Sequence, residues 1–83
     1  MNKSDIRKMT PDELDEFISV LLKDSEIKFN KPTQSSFKIK TLRSVSIMFY
    51  PSSLKVMISK KGKNKVHEFD DLDSAIKFCF MES

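Results

Sequence analysis

Acidic residues are absent from the middle of this 83-residue sequence. Residues 27–67 contain no Asp or Glu, but they contain ten basic residues: Lys28, Lys31, Lys38, Lys40, Arg43, Lys55, Lys60, Lys61, Lys63 and Lys65. The flanks have the opposite balance, with seven acids against four bases in residues 1–26 and five against one in residues 68–83. The net charge of +3 therefore conceals a strong separation of charge, which predicts a polyanionic or acidic partner for the middle segment.

Glycine, histidine and cysteine are scarce, and each shortage argues against a class of chemistry. The single glycine, Gly62, excludes a glycine-rich phosphate loop. A histidine-based triad or metal site would have to centre on His67, and no Ser or Cys can be placed beside it from sequence. Cys79 lies on an apolar helical stripe, and metal-ligand spacings of Cys and His are absent. We therefore expect no catalytic residues, no metal site and no cofactor.

Long apolar runs are also missing. No segment approaches the roughly 20 apolar residues of a membrane span, and the N-terminal residues contain no apolar signal-peptide core. One cysteine cannot form an internal disulfide, which favours a reducing compartment. The sequence therefore predicts a cytoplasmic protein with one domain over residues 1–83, loosely ordered over residues 1–8. Its Lys-, Ile-, Phe- and Ser-rich composition fits an AT-rich genome, such as those of many phages.

The first predicted helix covers about residues 11–23. Thr10 and Glu13 form a capping box, and Pro11 occupies the first helical position. A buried face is predicted for the apolar residues at helical spacing, which are Leu14, Phe17, Ile18 and Leu21. The exposed face is predicted to contain Asp12, Asp15, Glu16 and Ser19.

A second helix is predicted at the end of the sequence. Asp70 or Asp71 can cap it. Its apolar stripe consists of Leu72, Ala75, Ile76, Cys79 and Phe80. Phe78 and Met81 lie off this stripe and form an apolar surplus.

Alternating apolar residues predict β-structure between the helices. The odd-numbered positions from Phe37 to Phe49 are apolar or β-branched except for Arg43, which permits one bent strand or two strands meeting near Arg43. Another strand contains Leu54, Val56 and Ile58, and a hairpin turn around Gly62 leads to a returning strand over residues 65–69. The expected fold is a two-layer α+β sandwich. Both helices would cover one face of a three- to four-stranded antiparallel sheet.

The uncovered sheet face is the predicted binding surface. Its basic and polar residues are expected to be Lys38, Lys40, Arg43, Ser46, Tyr50 and Lys55. A basic hairpin would add Lys60, Lys61, Lys63 and Lys65. Lys and Ser suit phosphate oxygens, and an exposed Tyr can stack on an unpaired base. A protein interface could instead use Leu42, Met48, Met57, Phe78 and Met81.

Two functions fit this surface. The first is a non-catalytic protein that binds nucleic acid or another polyanion. The second is a protein-binding regulator or inhibitor, for example one encoded by a phage, that docks on an acidic partner or forms a homodimer through the same face. Lysines on an exposed strand can also have no role beyond solubility and protection of the sheet edge. The sequence does not distinguish DNA, RNA and protein as partners.

Overall fold

Three helices and five strands make up the computed structural model, which describes residues 1–83. In chain order these are α1 (Lys3–Arg7), α2 (Pro11–Asp24), β1 (Phe29–Asn30), β2 (Phe37–Ile39), β3 (Ser46–Tyr50), β4 (Lys55–Lys60), β5 (Lys63–Glu68) and α3 (Leu72–Glu82). The strands form one antiparallel sheet in the order β1-β2-β3-β4-β5. The α+β class is confirmed, with five strands rather than three or four. No helix has the length and apolar character needed to cross a bilayer.

The alternating segment 37–49 forms two strands rather than one. The loop of residues 40–45 separates β2 from β3, and Thr41 Oγ1 accepts a hydrogen bond from the Arg43 backbone N–H (3.0 Å) within it. Phe37 pairs with Phe49 and Ile39 with Ile47 across the two strands. Odd-numbered residues of β2 therefore pair with odd-numbered residues of β3. Their apolar side chains lie on the same face of the sheet, and that face is buried.

One core joins the helices to this face of the sheet. Its buried members are Ile6, Leu14, Ile18, Leu22, Ile27, Phe37, Ile39, Ile47, Phe49, Leu54, Val56, Leu72, Ala75, Ile76 and Cys79. All three helices contribute to this cluster together with the odd-numbered residues of β2 and β3. The even-numbered side chains therefore point to the other side of the sheet, which we call the outer face.

Helix α2 begins where the sequence predicts but presents a different face to the core. Thr10 Oγ1 accepts a hydrogen bond from the Glu13 backbone N–H (3.2 Å), which confirms the N-cap. The prediction that Phe17 is buried is wrong, because its exposed fraction is 36%. Val20 is 52% exposed, whereas Leu22 is fully buried. The helix is thus rotated about its axis relative to the sequence-based assignment.

Asp15 accounts for this rotation. The sequence predicts an exposed position, but the residue is buried and both carboxylate oxygens accept hydrogen bonds from the Ser35 backbone N–H (3.0 and 3.2 Å). Lys31 Nζ forms an ion pair with the same carboxylate at 2.6 Å. Residues two apart point in nearly opposite directions on an α-helix. Turning Asp15 towards the β1–β2 loop therefore turns Phe17 towards solvent.

A short N-terminal helix, α1, was not predicted. Asn2 Oδ1 accepts a hydrogen bond from the Asp5 backbone N–H (3.0 Å), and Asp5 Oδ2 accepts one from the Asn2 backbone N–H (3.3 Å). Ile6 is buried in the core, and the Leu72 backbone N–H donates to the Met1 carbonyl oxygen (2.7 Å). The segment expected to be loosely ordered therefore contains a capped helix that contacts the start of α3.

Replacing the Asp15 carboxylate should destabilise the fold. Asp15→Ala leaves the Ser35 N–H and the Lys31 ammonium without their partner, so we expect the free energy of unfolding to fall by about 1–3 kcal/mol. Urea denaturation measures this change. Glu16→Ala is the matched control, because it removes the same charge from the adjacent exposed position and should change stability far less. Equal losses in the two variants would contradict a structural role for Asp15.

Cys79 should make stability fall at alkaline pH. Burial raises the pKa of its thiol to about 12, whereas an unfolded chain ionises near the ordinary value of about 8.5. The unfolded state therefore binds fewer protons between these values, and the contribution to stability declines by up to about 1.4 kcal/mol per pH unit there. Urea denaturation from about pH 8 to pH 10.5 should show a steeper decline for the natural protein than for Cys79→Ala. Parallel curves would contradict this.

Candidate functional site

The outer face of the sheet is organised in rows that run across the strands. One row contains Asn30, Lys38, Met48, Met57 and Val66. A second contains Ser46, Ser59 and Asn64, and a third contains Tyr50, Lys55 and Glu68. The structure thus places Lys38, Ser46, Tyr50, Lys55, Met48 and Met57 on the outer face. Lys40 continues the alternation of β2 onto the same face.

The unpaired lysines gather at one end of the sheet rather than over one face. At this end of the antiparallel sheet β1 and β5 begin, β2 ends, and β4 leads into the β4–β5 hairpin. We call the lysines at or near this end the basic end, and they are Lys28, Lys38, Lys40, Lys60, Lys61, Lys63 and Lys65. Lys28 and Lys40 lie at the β1–β2 edge, and the hairpin lysines lie about three strand spacings from Lys40, or about 14 Å.

The hairpin lysines do not lie on the outer face. Val56 is buried in the core, so alternation along β4 places Ile58 and Lys60 on the helix side of the sheet. Their partners on β5 are Lys65 and Lys63. The turn itself uses Lys61 and Gly62, both with positive φ (50° and 79°) as in a type I′ hairpin. Two groups of lysines therefore point to opposite faces and meet only at the end of the sheet.

Like charges are directly opposed within the basic end. Lys60 pairs with Lys63 across the hairpin, and the Lys40 backbone N–H donates to the Lys28 carbonyl oxygen (2.8 Å) across the edge strands. Directly opposed like charges destabilise a sheet. The three ion pairs of the structure are Lys3–Glu68, Lys31–Asp15 and Arg43–Glu82. None of them compensates a lysine of the basic end.

Two shallow depressions accompany these lysines. One, of about 660 Å³, is bordered by Lys28, Lys38 and Lys40, with Glu26 as its only acid. The other, of about 360 Å³, is lined by Ile58, Lys60, Lys61, Lys63, Lys65 and His67. The row of Ser46, Ser59 and Asn64 lies on the outer face, where Ser59 Oγ donates to Asn64 Oδ1 (2.6 Å). Hydroxyl, amide and ammonium groups together suit phosphate oxygens.

Three residues assigned to the site by sequence lie apart from the basic end or are neutralised. Arg43 forms an ion pair with Glu82 at the end of α3 (3.0 Å). Tyr50 and Lys55 lie at the other end of β3 and β4, where Lys55 pairs with Glu68. The hydrogen bond and charge of Lys3 lower the pKa of Glu68, and Lys55 adds to this effect. The Lys55 charge is thus partly compensated.

The residues expected at a protein interface also separate. Leu42 is fully exposed in the loop of residues 40–45, and Met81 is 67% exposed on α3. Phe78 is not a free apolar surface, because its ring packs 4.7 Å from His67 and 5.2 Å from Phe69, measured between centroids. Met48 and Met57 lie side by side on the outer face.

Sequence reasoning missed two sets of surface residues. Lys28 was not assigned to the site, because its position opposite Lys40 depends on the pairing of β1 with β2. The second set lies on the helices and comprises Phe17, Val20 and Phe80, of which Phe17 and Phe80 were assigned to buried stripes. No three His, Cys, Asp or Glu side chains form a group suited to a metal ion.

Comparisons with known proteins give no functional clue. No family model, curated protein or solved structure matches this chain. The most distinctive feature of its side-chain arrangement is the set of lysines without ion-pair partners at one end of the sheet.

Proposed function

We propose that this chain is a non-catalytic binding protein whose basic end binds nucleic acid or another polyanion. The observation that supports this most strongly is the pair of opposed lysine couples, Lys28 with Lys40 and Lys60 with Lys63, without any carboxylate in ion-pair contact. Each couple costs stability in the free protein. A phosphate chain placed between the ammonium groups would relieve that repulsion.

The geometry favours recognition of an anionic backbone over recognition of base sequence. The backbones of Lys40 and Lys63 are separated by three strand spacings, or about 14 Å. This is several times the rise of roughly 3.4 Å per charge along one strand of a duplex, so the two groups suit contacts to several phosphates. Ser59 and Asn64 lie on the outer face of the two strands that carry the hairpin lysines. Contacts of this kind position a protein on a polyanion but carry no sequence information. We therefore propose binding that depends on charge density and weakens with salt.

A protein-binding regulator is the second candidate. The observation that favours it is the apolar row of Met48, Met57 and Val66 in register on the outer face, with Lys38 at its end. Methionine adapts to irregular surfaces, and lysines around an apolar centre fit an acidic protein. The buried, unpaired Cys79 is compatible with the reducing cytoplasm for either function.

Removing one opposed couple should weaken polyanion binding without harming the fold. For Lys60→Ser with Lys63→Ser we expect affinity for a labelled oligonucleotide or heparin to fall about tenfold or more at low salt. The slope of log affinity against log salt should fall by about 1.5, because two phosphate contacts are lost. Fluorescence anisotropy over a salt series measures both quantities.

The matched control for this experiment is Lys8→Ser with Lys77→Ser. It removes the same charge from exposed positions at the end of α1 and on α3, outside the basic end, and should change affinity about twofold or less. Equal effects of the two double variants would show that only net charge matters. Absence of binding to heparin and to single- and double-stranded nucleic acid at low salt would rule out the proposal.

The second candidate function predicts a different response. Binding to an acidic protein through the outer face should persist at raised salt and should be lost in Met48→Ala with Met57→Ala, because apolar contacts dominate it. Affinity capture from a host lysate with nuclease treatment, followed by the same capture with the double variant, measures this. A partner retained equally by the double variant would exclude the outer-face row as its binding site.

A further inference from the structure

We propose that the chain associates head to tail with further copies of itself. An apolar strip on the helices of one copy would dock on the apolar row of the next copy's outer sheet face. We call these surfaces the helix strip (Phe17, Val20, Leu21 and Phe80) and the methionine row (Met48, Met57 and Val66). The proposal names a partner for the row favoured by the second candidate function, and it does not rest on polyanion binding.

The helix strip is large for an isolated surface. Phe17 is 36%, Val20 52% and Phe80 55% exposed. Leu21 and Phe80 line a groove of about 380 Å³ between α2 and α3. Contiguous exposed apolar patches rimmed by polar residues mark interaction sites on soluble proteins. Phe17 and Val20 are exposed because the Asp15 contacts fix the rotation of α2. The exposure of the helix strip is therefore a property of the folded protein.

The methionine row lies on the other side of the molecule. Met48, Met57 and Val66 are adjacent on three strands, and Val66 is 57% exposed. The helices cover one face of the sheet and the row lies in the middle of the other. A copy engaged through its helix strip therefore keeps its methionine row free for another copy, which is the condition for a heterologous contact that propagates.

Charge decides between this arrangement and a symmetric dimer. The exposed residues of α2 include four acids against one base, whereas α3 borders the groove with one acid and one base, Asp73 and Lys77. The outer face instead carries Lys38 and Lys40 beside its apolar centre, together with Lys55, whose charge Glu68 partly compensates. Two helix strips face to face would oppose acids with acids, and two methionine rows would oppose lysines with lysines. Only the contact of strip with row brings opposite charges together.

The size of the molecule bounds the strength of the contact. Its extents are 36, 22 and 21 Å, so one broad face offers roughly 800 Å². This is close to the area that each partner contributes to a standard stable interface. A contact of standard size would therefore use the whole of one face. We expect a dissociation constant on the order of micromolar, and assemblies that grow longer as the protein concentration rises.

Sedimentation velocity without nucleic acid tests the proposal. The weight-average mass of the natural protein should rise above twice the 9.6 kDa monomer as concentration increases from about 1 µM to about 1 mM. A monomer throughout this range, or a plateau at the dimer mass, would overturn the head-to-tail arrangement. This result requires no variant, so it stands whether or not any substitution is tolerated.

Two complementary variants test the pairing of the surfaces. Phe17→Ser with Val20→Ser disables the strip, and Met57→Ser with Val66→Ser disables the row; each should remain monomeric when alone. An equimolar mixture should form dimers and nothing larger, because only one intact strip can meet one intact row. A mixture that stays monomeric would overturn the proposal.

Two controls complete the experiment. Leu42→Ser removes a fully exposed apolar side chain that belongs to neither surface, and it should self-associate like the natural protein. The variant Lys60→Ser with Lys63→Ser should also self-associate normally, while its polyanion affinity falls about tenfold or more. That separation distinguishes failure of the head-to-tail contact from failure of the basic end. Loss of association in the Leu42 variant would count against the assigned surfaces.

Discussion

The contact of Asp15 with the β1–β2 loop sets the orientation on which much of this structure depends. Its carboxylate accepts hydrogen bonds from the Ser35 N–H and pairs with Lys31, although it lies in a helix whose own pattern would leave it in water. A buried carboxylate is tolerated when its oxygens are satisfied. The contact rotates α2, determines which apolar residues reach the core, and joins the helix layer to the sheet edge.

The same rotation links stability to the molecular surface. Leu14, Ile18 and Leu22 enter the core, whereas Phe17 and Val20 face solvent. A helix with an apolar stripe this wide has more apolar side chains than one sheet face can cover. The excess is displayed on the side opposite the methionine row. The molecule is therefore apolar at the centre of both broad faces. The exposed surface of α2 is acidic, whereas the outer face and the basic end carry an excess of lysines.

Sequence reasoning succeeded where the determining interactions are local. Thr10 and Asp71 cap their helices through N–H groups three residues away, and alternation from Phe37 to Phe49 is a property of neighbouring positions. The rotation of α2 was not predictable, because it depends on a contact between Asp15 and Ser35 twenty residues apart.

The location of the lysines required knowledge of strand pairing. Alternation correctly assigns Lys38 to the outer face. The hairpin lysines need the register of β4 with β5, in which Lys60 meets Lys63, and this cannot be derived from either strand separately. For the same reason the accumulation of charge at one end of the sheet became visible only when all five strands were ordered.

The opposed lysine couples also determine how the free protein responds to its medium. Proteins stabilised by surface ion pairs lose part of that stabilisation when salt screens the attraction. Here the uncompensated contacts at the basic end are repulsive, so screening removes a penalty from the folded state. The β4–β5 hairpin and the β1–β2 edge should therefore open less often as ionic strength rises. The hairpin would be most prone to fraying in dilute buffer, where the polyanion affinity proposed for it would be greatest.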